Sequence, residues 1–327
     1  MAGPAGSLAS APTLRSKPRA GGAERGIALM LVLWVVALLV IIAVGLTATQ
    51  RTESTLAANQ RATARFRALA EAGVNYAVLN LTANAPLVQD DELTSDLWVP
   101  DGSAYRWSFA GEPLEIAIVN EQSLIDLNQA AEDLIGSLLL AAGVPEEEKS
   151  TLVDAILDWR DENDLRLLNG AEDADYEEAG RPYGAKDGPF DSVEELRQVL
   201  GFGRDLYRTL APALTVDAGT ANVEEDLAPA LVRAALKGTT LEEAERLMAE
   251  EREAEEQDAA DKPASAINRG GPKYRIRVSS SGAEPRMSME ALVETTPSEY
   301  APFQILWRRY GLSAETGGGD EGSGELD

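Results

Sequence analysis

The chain contains neither cysteine nor histidine. That double absence excludes disulfide staples, thiolate zinc centres, imidazole metal ligands, Cys-His dyads and Ser-His-Asp triads together. Positive charge is also short, with 29 Lys and Arg against 55 Asp and Glu, a formal net charge of −26. Such a balance disfavours phosphate backbones and anionic lipid, and suits solubility, cation binding or a basic partner. Hydrolytic chemistry would have to rest on carboxylates, and no acid pair is singled out among so many, so the sequence is not read as an enzyme.

What the chain does have is one long apolar run. Residues 27–46 carry no charge, and as a helix at ~1.5 Å per residue they reach roughly 30 Å, the thickness of a bilayer's hydrocarbon core. A secretory signal has a shorter apolar region, ~7 to 15 residues. A plain single-pass anchor and a processed anchor both remain open on length alone. Arg15, Lys17, Arg19 and Arg25 precede the run, with Glu24 the one acid among them. This basic excess keeps the N-terminus in the cytoplasm and sends the bulk of the chain across.

Beyond the run, apolar or small positions at Leu56, Phe66, Leu69, Ala70, Val74, Ala77, Val78 and Leu81 recur mostly by threes and fours, so the helix is expected to continue to about Leu81. Pro86 then stops it. Strand-like alternation follows at residues 104–110 and 114–119. From Asn128 onward the chain reads helical, in pieces at 130–142, 146–160, 192–200, 204–210, 228–237 and 241–256. Strand character returns at 273–279, 287–294 and 304–309. The predicted class is α+β, with a helical block inserted into a sheet domain. The expected divisions are residues 1–26 as a leader, 27–46 as the membrane part of the first helix, 47–127 as the rest of that helix with the first strands, 128–262 as the helical insert, 263–312 as the closing strands and 313–327 as a disordered acidic tail.

The densest chemistry lies in the insert, where Asp158, Asp161, Asp164, Glu172, Asp173 and Asp175 crowd a turn-rich segment, of which the first five are the favoured ligands. Hard oxygen donors on such a segment suit calcium, which takes ~6 to 8 oxygens in flexible geometry. Asp161, Asn163 and Glu172 match positions 1, 3 and 12 of an EF-hand loop, but Leu165 and Arg166 stand where a ligand and a glycine belong. A solvated acidic loop with Arg160 and Arg166 as counter-ions is the competing reading. Leu200-Gly201-Phe202-Gly203 has the look of a helix-hairpin-helix turn, whose amides can hold phosphate. Residues 121–200 carry 21 acids and 6 bases, however, so a membrane-anchored DNA-binding module is the lesser alternative and the glycines are read as turn formers.

Several segments together resemble the minor pseudopilin K family of type II secretion systems. Arg25-Gly26-Ile27-Ala28-Leu29 resembles a prepilin peptidase site, cut between Gly26 and Ile27. Further matches are Gln50-Arg51-Thr52-Glu53, Ala68-Leu69-Ala70-Glu71-Ala72-Gly73-Val74, Asp126-Leu127-Asn128, Asp158-Trp159-Arg160-Asp161, Asn169-Gly170-Ala171-Glu172-Asp173, Gly188-Pro189-Phe190-Asp191 and Ile305-Leu306-Trp307. The resemblance implies a pilin-like fold, a long N-terminal helix on an antiparallel sheet, anchored once in the inner membrane with its head in the periplasm. It implies a tip subunit that starts pseudopilus assembly with minor pseudopilins I and J on an inner-membrane assembly platform, exporting folded substrate proteins across the outer membrane. It also implies calcium in the helical domain. Most pseudopilins have glutamate at the fifth mature residue, and this chain has Leu31 there, which suits a subunit with none ahead of it.

Overall fold

A computed structural model describes residues 23–82, 98–258, 268–281, 286–296 and 301–312. The chain divides into two compact units, Met1–Ala64 and Arg65–Asp327. Helix α1 (Ala23–Thr82) contributes to both. In the first unit the described side chains of the apolar run, at 28–44, are all exposed. Among the described residues no helix is long and apolar enough to cross a membrane. The expected stop at Pro86, most of the leader and the acidic tail lie outside the described residues.

In the second unit, α1 presents Phe66, Ala70, Val74, Ala77, Val78 and Leu81, all buried. That is one stripe at helical spacing. It packs on a five-stranded antiparallel sheet of order β1-β2-β5-β6-β7, formed by β1 (Asp101–Phe109), β2 (Glu112–Asn120), β5 (Lys273–Ser280), β6 (Met287–Glu294) and β7 (Gln304–Leu312). β2 shows why one face meets the helix: Leu114, Ile116 and Ile118 alternate with Glu115 and Ala117, and the three apolar side chains are essentially fully buried. Ile276 and Val278 of β5 and Met289, Ala291 and Val293 of β6 complete this core. Ala110 and Gly111 both have positive φ, 51° and 79°, which fits the tight turn joining β1 to β2. Gly73 sits where the helix comes closest, since a Cβ there would stand 3.1 Å from Val278 Cγ1 and 3.2 Å from Ile116 Cδ1.

The helical block leaves after β2 and returns at β5, two strands that are hydrogen-bonded neighbours with Asn120 paired to Tyr274. An insertion between neighbours leaves the strand order undisturbed. The block comprises α2 (Glu132–Ala141), α3 (Glu146–Arg160), α4 (Asp173–Glu178), α5 (Arg204–Leu210), α6 (Ala230–Lys237) and α7 (Leu241–Asp258). It has a separate core, centred on Ile135, Leu138, Ile156, Trp159, Tyr176, Leu196 and Val232. A short parallel pair, β3 (Ile125–Asp126) with β4 (Leu214–Thr215), ties its start to its middle. The expected helix at 192–200 is instead a short 3-10 helix, Val193–Arg197. Glu195 accepts from the Asp191 amide at 3.0 Å and takes the Lys186 ammonium at 2.8 Å, and Gly201, at φ +89°, turns the chain before a second full turn can form.

Candidate functional site

The acidic segment is held by α3 on one side and α4 on the other. Asp158, in the last turn of α3, is fully buried and accepts the Leu167 amide at 3.2 Å. Burial pushes its carboxyl up, the Leu167 and Ala171 amides pull it back, and Asp161 and Asp154 add repulsion. Gly170 has no room for a side chain, because a Cβ would fall 2.0 Å from Asp158 Oδ2. Asp161 closes α3 and caps its own loop, with Oδ1 accepting the Asn163 amide at 2.9 Å and its Nδ2 at 2.7 Å. Asp173 opens α4 and lies tight against Gly184, where a Cβ would meet its Oδ1 at 1.6 Å. Asp164 lies exposed on the intervening loop.

Glu172 is the most perturbed acid of the cluster. Its residue is 7% exposed, and its carboxyl is pushed up to about 7, first by burial and then by the charges of Asp158, Asp187, Asp161 and Asp164. It caps α4 in a reciprocal box with Asp175, yet its Oε1 is buried with no hydrogen-bond partner. Asp187, which sequence reasoning did not single out, sits against the same group. Its carboxyl is raised by burial and then by Asp164, Asp173 and Asp161, its Oδ1 is also buried and unpartnered, and its backbone is in the left-handed region at φ 53°. The signal available was the Asp187-Gly188 dipeptide, a turn-former next to an acid-rich segment.

Both arginines act as counter-ions within the acidic segment: burial lowers the Arg160 guanidinium while the charges of Asp126 and Asp161 raise it, and Arg166 pairs with Asp175 at 2.7 Å. Arg160 also donates to the Leu127 and Ala130 carbonyls. Glu172 and Asp187 are each raised by the charges of neighbouring acids of this set, Asp161 and Asp164 among them. Among the described residues no three acidic side chains stand in closed metal-coordinating geometry. Two buried carboxylate oxygens, Glu172 Oε1 and Asp187 Oδ1, are left without a hydrogen-bond partner, and burying an unpaired charge is costly until something neutralises it.

The other motif residues are structural. Asp126, 2% exposed, accepts the Asn128 amide at 2.9 Å and the Gly219 amide at 2.8 Å. Asn128 clips Phe190 from both sides, accepting its N–H at 2.7 Å and donating to its carbonyl at 3.0 Å. Gly201 makes a turn against Leu152, with Phe202 buried beside it, as a glycine required by the chain's path rather than by a phosphate. Glu121, fully buried, pairs with Arg275 at 2.8 Å and accepts from Thr215, so that β5 is bonded to the insert. Trp307 Nε1 donates to Asp217 at 3.2 Å across the same boundary.

Comparison with known proteins agrees with this arrangement. A family model described as type II secretion system (T2SS), protein K, matches residues 116–218, from within β2 past β4. The type II secretion system protein K of Pectobacterium carotovorum subsp. carotovorum is 30% identical over 253 residues, covering 69% of this chain and 74% of that protein. The Klebsiella pneumoniae protein of the same name is 29% identical, over 58% of this chain and 61% of its own length. Among solved structures, a chain of the GspK-GspI-GspJ complex from the enterotoxigenic Escherichia coli type 2 secretion system aligns with a TM-score of 0.50 at 15% identity, covering 76% of this chain and 99% of that one. At that identity the likeness is one of fold, and it is the α+β, pilin-like fold with a helical insert described above. With the sequence match running from the sheet into the insert and covering most of a full-length relative, the chain belongs to the type II secretion system protein K family.

Proposed function

We propose that this chain is a minor pseudopilin that starts and caps a short pseudopilus. In this reading it is cut between Gly26 and Ile27, crosses the inner membrane once through residues 27–46, and carries its head in the periplasm, where it meets minor pseudopilins I and J. The observation that carries the reading is the helix-on-sheet core with a bulky insert between β2 and β5, in a chain of the protein K family. A K-I-J complex as structural neighbour supports the partners. Leu31, uncharged and 62% exposed, supports the end position, because a buried glutamate with no amine to neutralise it would be costly. No observation favours the DNA-binding alternative.

The insert is read as a calcium site. Asp158, Asp161, Asp164, Glu172, Asp173 and Asp187 would hold the ion, which would supply positive charge to this cluster. Support comes from the unpartnered buried oxygens of Glu172 and Asp187.

Two experiments test the reading. Intact mass of the membrane protein with and without a prepilin peptidase should show loss of residues 1–26 only when the enzyme is present; an uncut chain in both would leave an ordinary anchored head. Leu31→Glu should reduce assembly with I and J or move K from the tip, and unchanged assembly at the tip would remove the charge argument.

A further inference from the structure

Leu165 and Leu168 are 78% and 88% exposed, the two most exposed large apolar side chains among the described residues. They exceed even those of the apolar run at 28–44, the highest of which is Trp34 at 75%. Scattered surface leucines need no explanation. These two lie on one loop whose backbone is pinned on both sides. The Leu165 amide donates to Asn163 Oδ1 at 3.0 Å, the Leu167 amide to Asp158 at 3.2 Å, and the Asn169 amide and Nδ2 both to Asp154 at 3.0 Å. Between the leucines, Arg166 is tied to Asp175. Every one of these restraints is a protein group.

We infer that Leu165 and Leu168 form a preorganised docking prong for a protein partner that offers an apolar crevice rimmed by lysine or arginine. Preorganisation removes the ordering cost that a mobile loop would bear on binding. The partner's charge follows from the prong's own: Glu162 and Asp164 precede Leu165 and are exposed, Arg166 on its other side is already paired with Asp175, and the chain has a net charge of −26. A second copy would set acid against acid, and an anionic membrane surface would repel the same groups. A basic rim instead satisfies the acids while the crevice takes the leucines.

The test places a photoreactive phenylalanine analogue at 165 or 168 of the full chain in secreting cells, with the same probe at Leu140, 38% exposed, as control. The expected result is one protein adduct from 165 and 168 that is absent from 140. That protein, purified, should bind the Leu165→Ser/Leu168→Ser chain roughly 100-fold or more weakly than the parent, the loss of two buried leucines. Glu162→Lys should weaken binding and flatten its salt dependence, and both variants should melt with the parent because the altered side chains are exposed. Adducts with lipid or with a second copy, no adduct, or a partner whose affinity ignores the leucines would overturn the inference.

Discussion

Raising the pH in the absence of metal should destabilise the insert, against the usual behaviour of carboxylates. Glu172 carries the argument. Its carboxyl titrates near 7 in the folded chain and near 4.5 as a free side chain, so between those values the folded state holds a proton that the unfolded state has released. Stability conferred by that proton is complete below pH 4.5 and is lost as pH rises through about 7. A shift of about 2.5 units at about 1.36 kcal/mol each amounts to about 3 kcal/mol. Asp187 and Asp158 are raised as well and act in the same direction. The assay is thermal melting from pH 5 to 8 of the detergent-solubilised chain in a chelator, repeated in excess calcium. Calcium at 100 times its dissociation constant should restore about 2.7 kcal/mol at the alkaline end. Glu172→Gln, which keeps the helix-capping oxygen but cannot ionise, should flatten the metal-free profile and weaken the response to calcium. A metal-free profile that rises or stays level from pH 5 to 8, or one that Glu172→Gln leaves unchanged, would refute the reasoning.

Further predictions follow from geometry. Asn128→Ala removes both bonds to Phe190, leaving a buried amide and carbonyl unpaired, and should cost about 2–4 kcal/mol in denaturant melts; a change below about 1 kcal/mol would mean that water replaces the clip. Glu121→Ala strands the Arg275 guanidinium and should cost about 3–5 kcal/mol, while replacing both residues by Leu and Met should recover most of the loss. Gly73→Ala sets a helix gain of about 1 kcal/mol against overpacking of about 1–3 kcal/mol at Val278 and Ile116. The variant should therefore be neutral to mildly destabilised, and adding Val278→Ala should make the same glycine substitution favourable.

Elements with a clear period were legible in the sequence. The strand character of 287–294 and the helical pieces 146–160 and 204–210, punctuated by Gly and Pro at their joints, gave the observed bounds of β6, α3 and α5. Segments held by long-range contacts were not. β3 and β4 are two residues each, too short for any period, and exist because residues far apart in sequence pair. α4 is six residues long and depends on the Glu172–Asp175 capping box. The acid cluster was visible as composition, but the carbonyl partners of Arg160 and the place of Asp187 were not. Arg160 keeps the charge of Asp161 beside it, as its place in the sequence suggested, but the fold also brings the Leu127 and Ala130 carbonyls within its reach. Asp187 joins the cluster only because the chain folds back onto α3 and α4, a closure that no local spacing announces.

The adjacency of Asn120 and Tyr274 bears on the order in which the chain acquires structure. In topological terms β2 and β5 are a hairpin whose turn is itself a domain. Closing an unstructured loop of roughly 150 residues costs about 3 kcal/mol more than closing a four-residue turn. An insert that has already folded ties its start to its later part, with the Glu224 amide donating to the Gln122 carbonyl at 2.7 Å and Asn268 donating to Glu224 at 2.8 Å, and so lifts part of that cost before the strands meet. On that account an insert that folds early would favour the pairing of β2 with β5, so that a part of the protein outside the sheet would help β5 to β7 add to it. Lesions in the insert should delay burial of the long helix against the sheet even when no residue of helix or sheet has been touched.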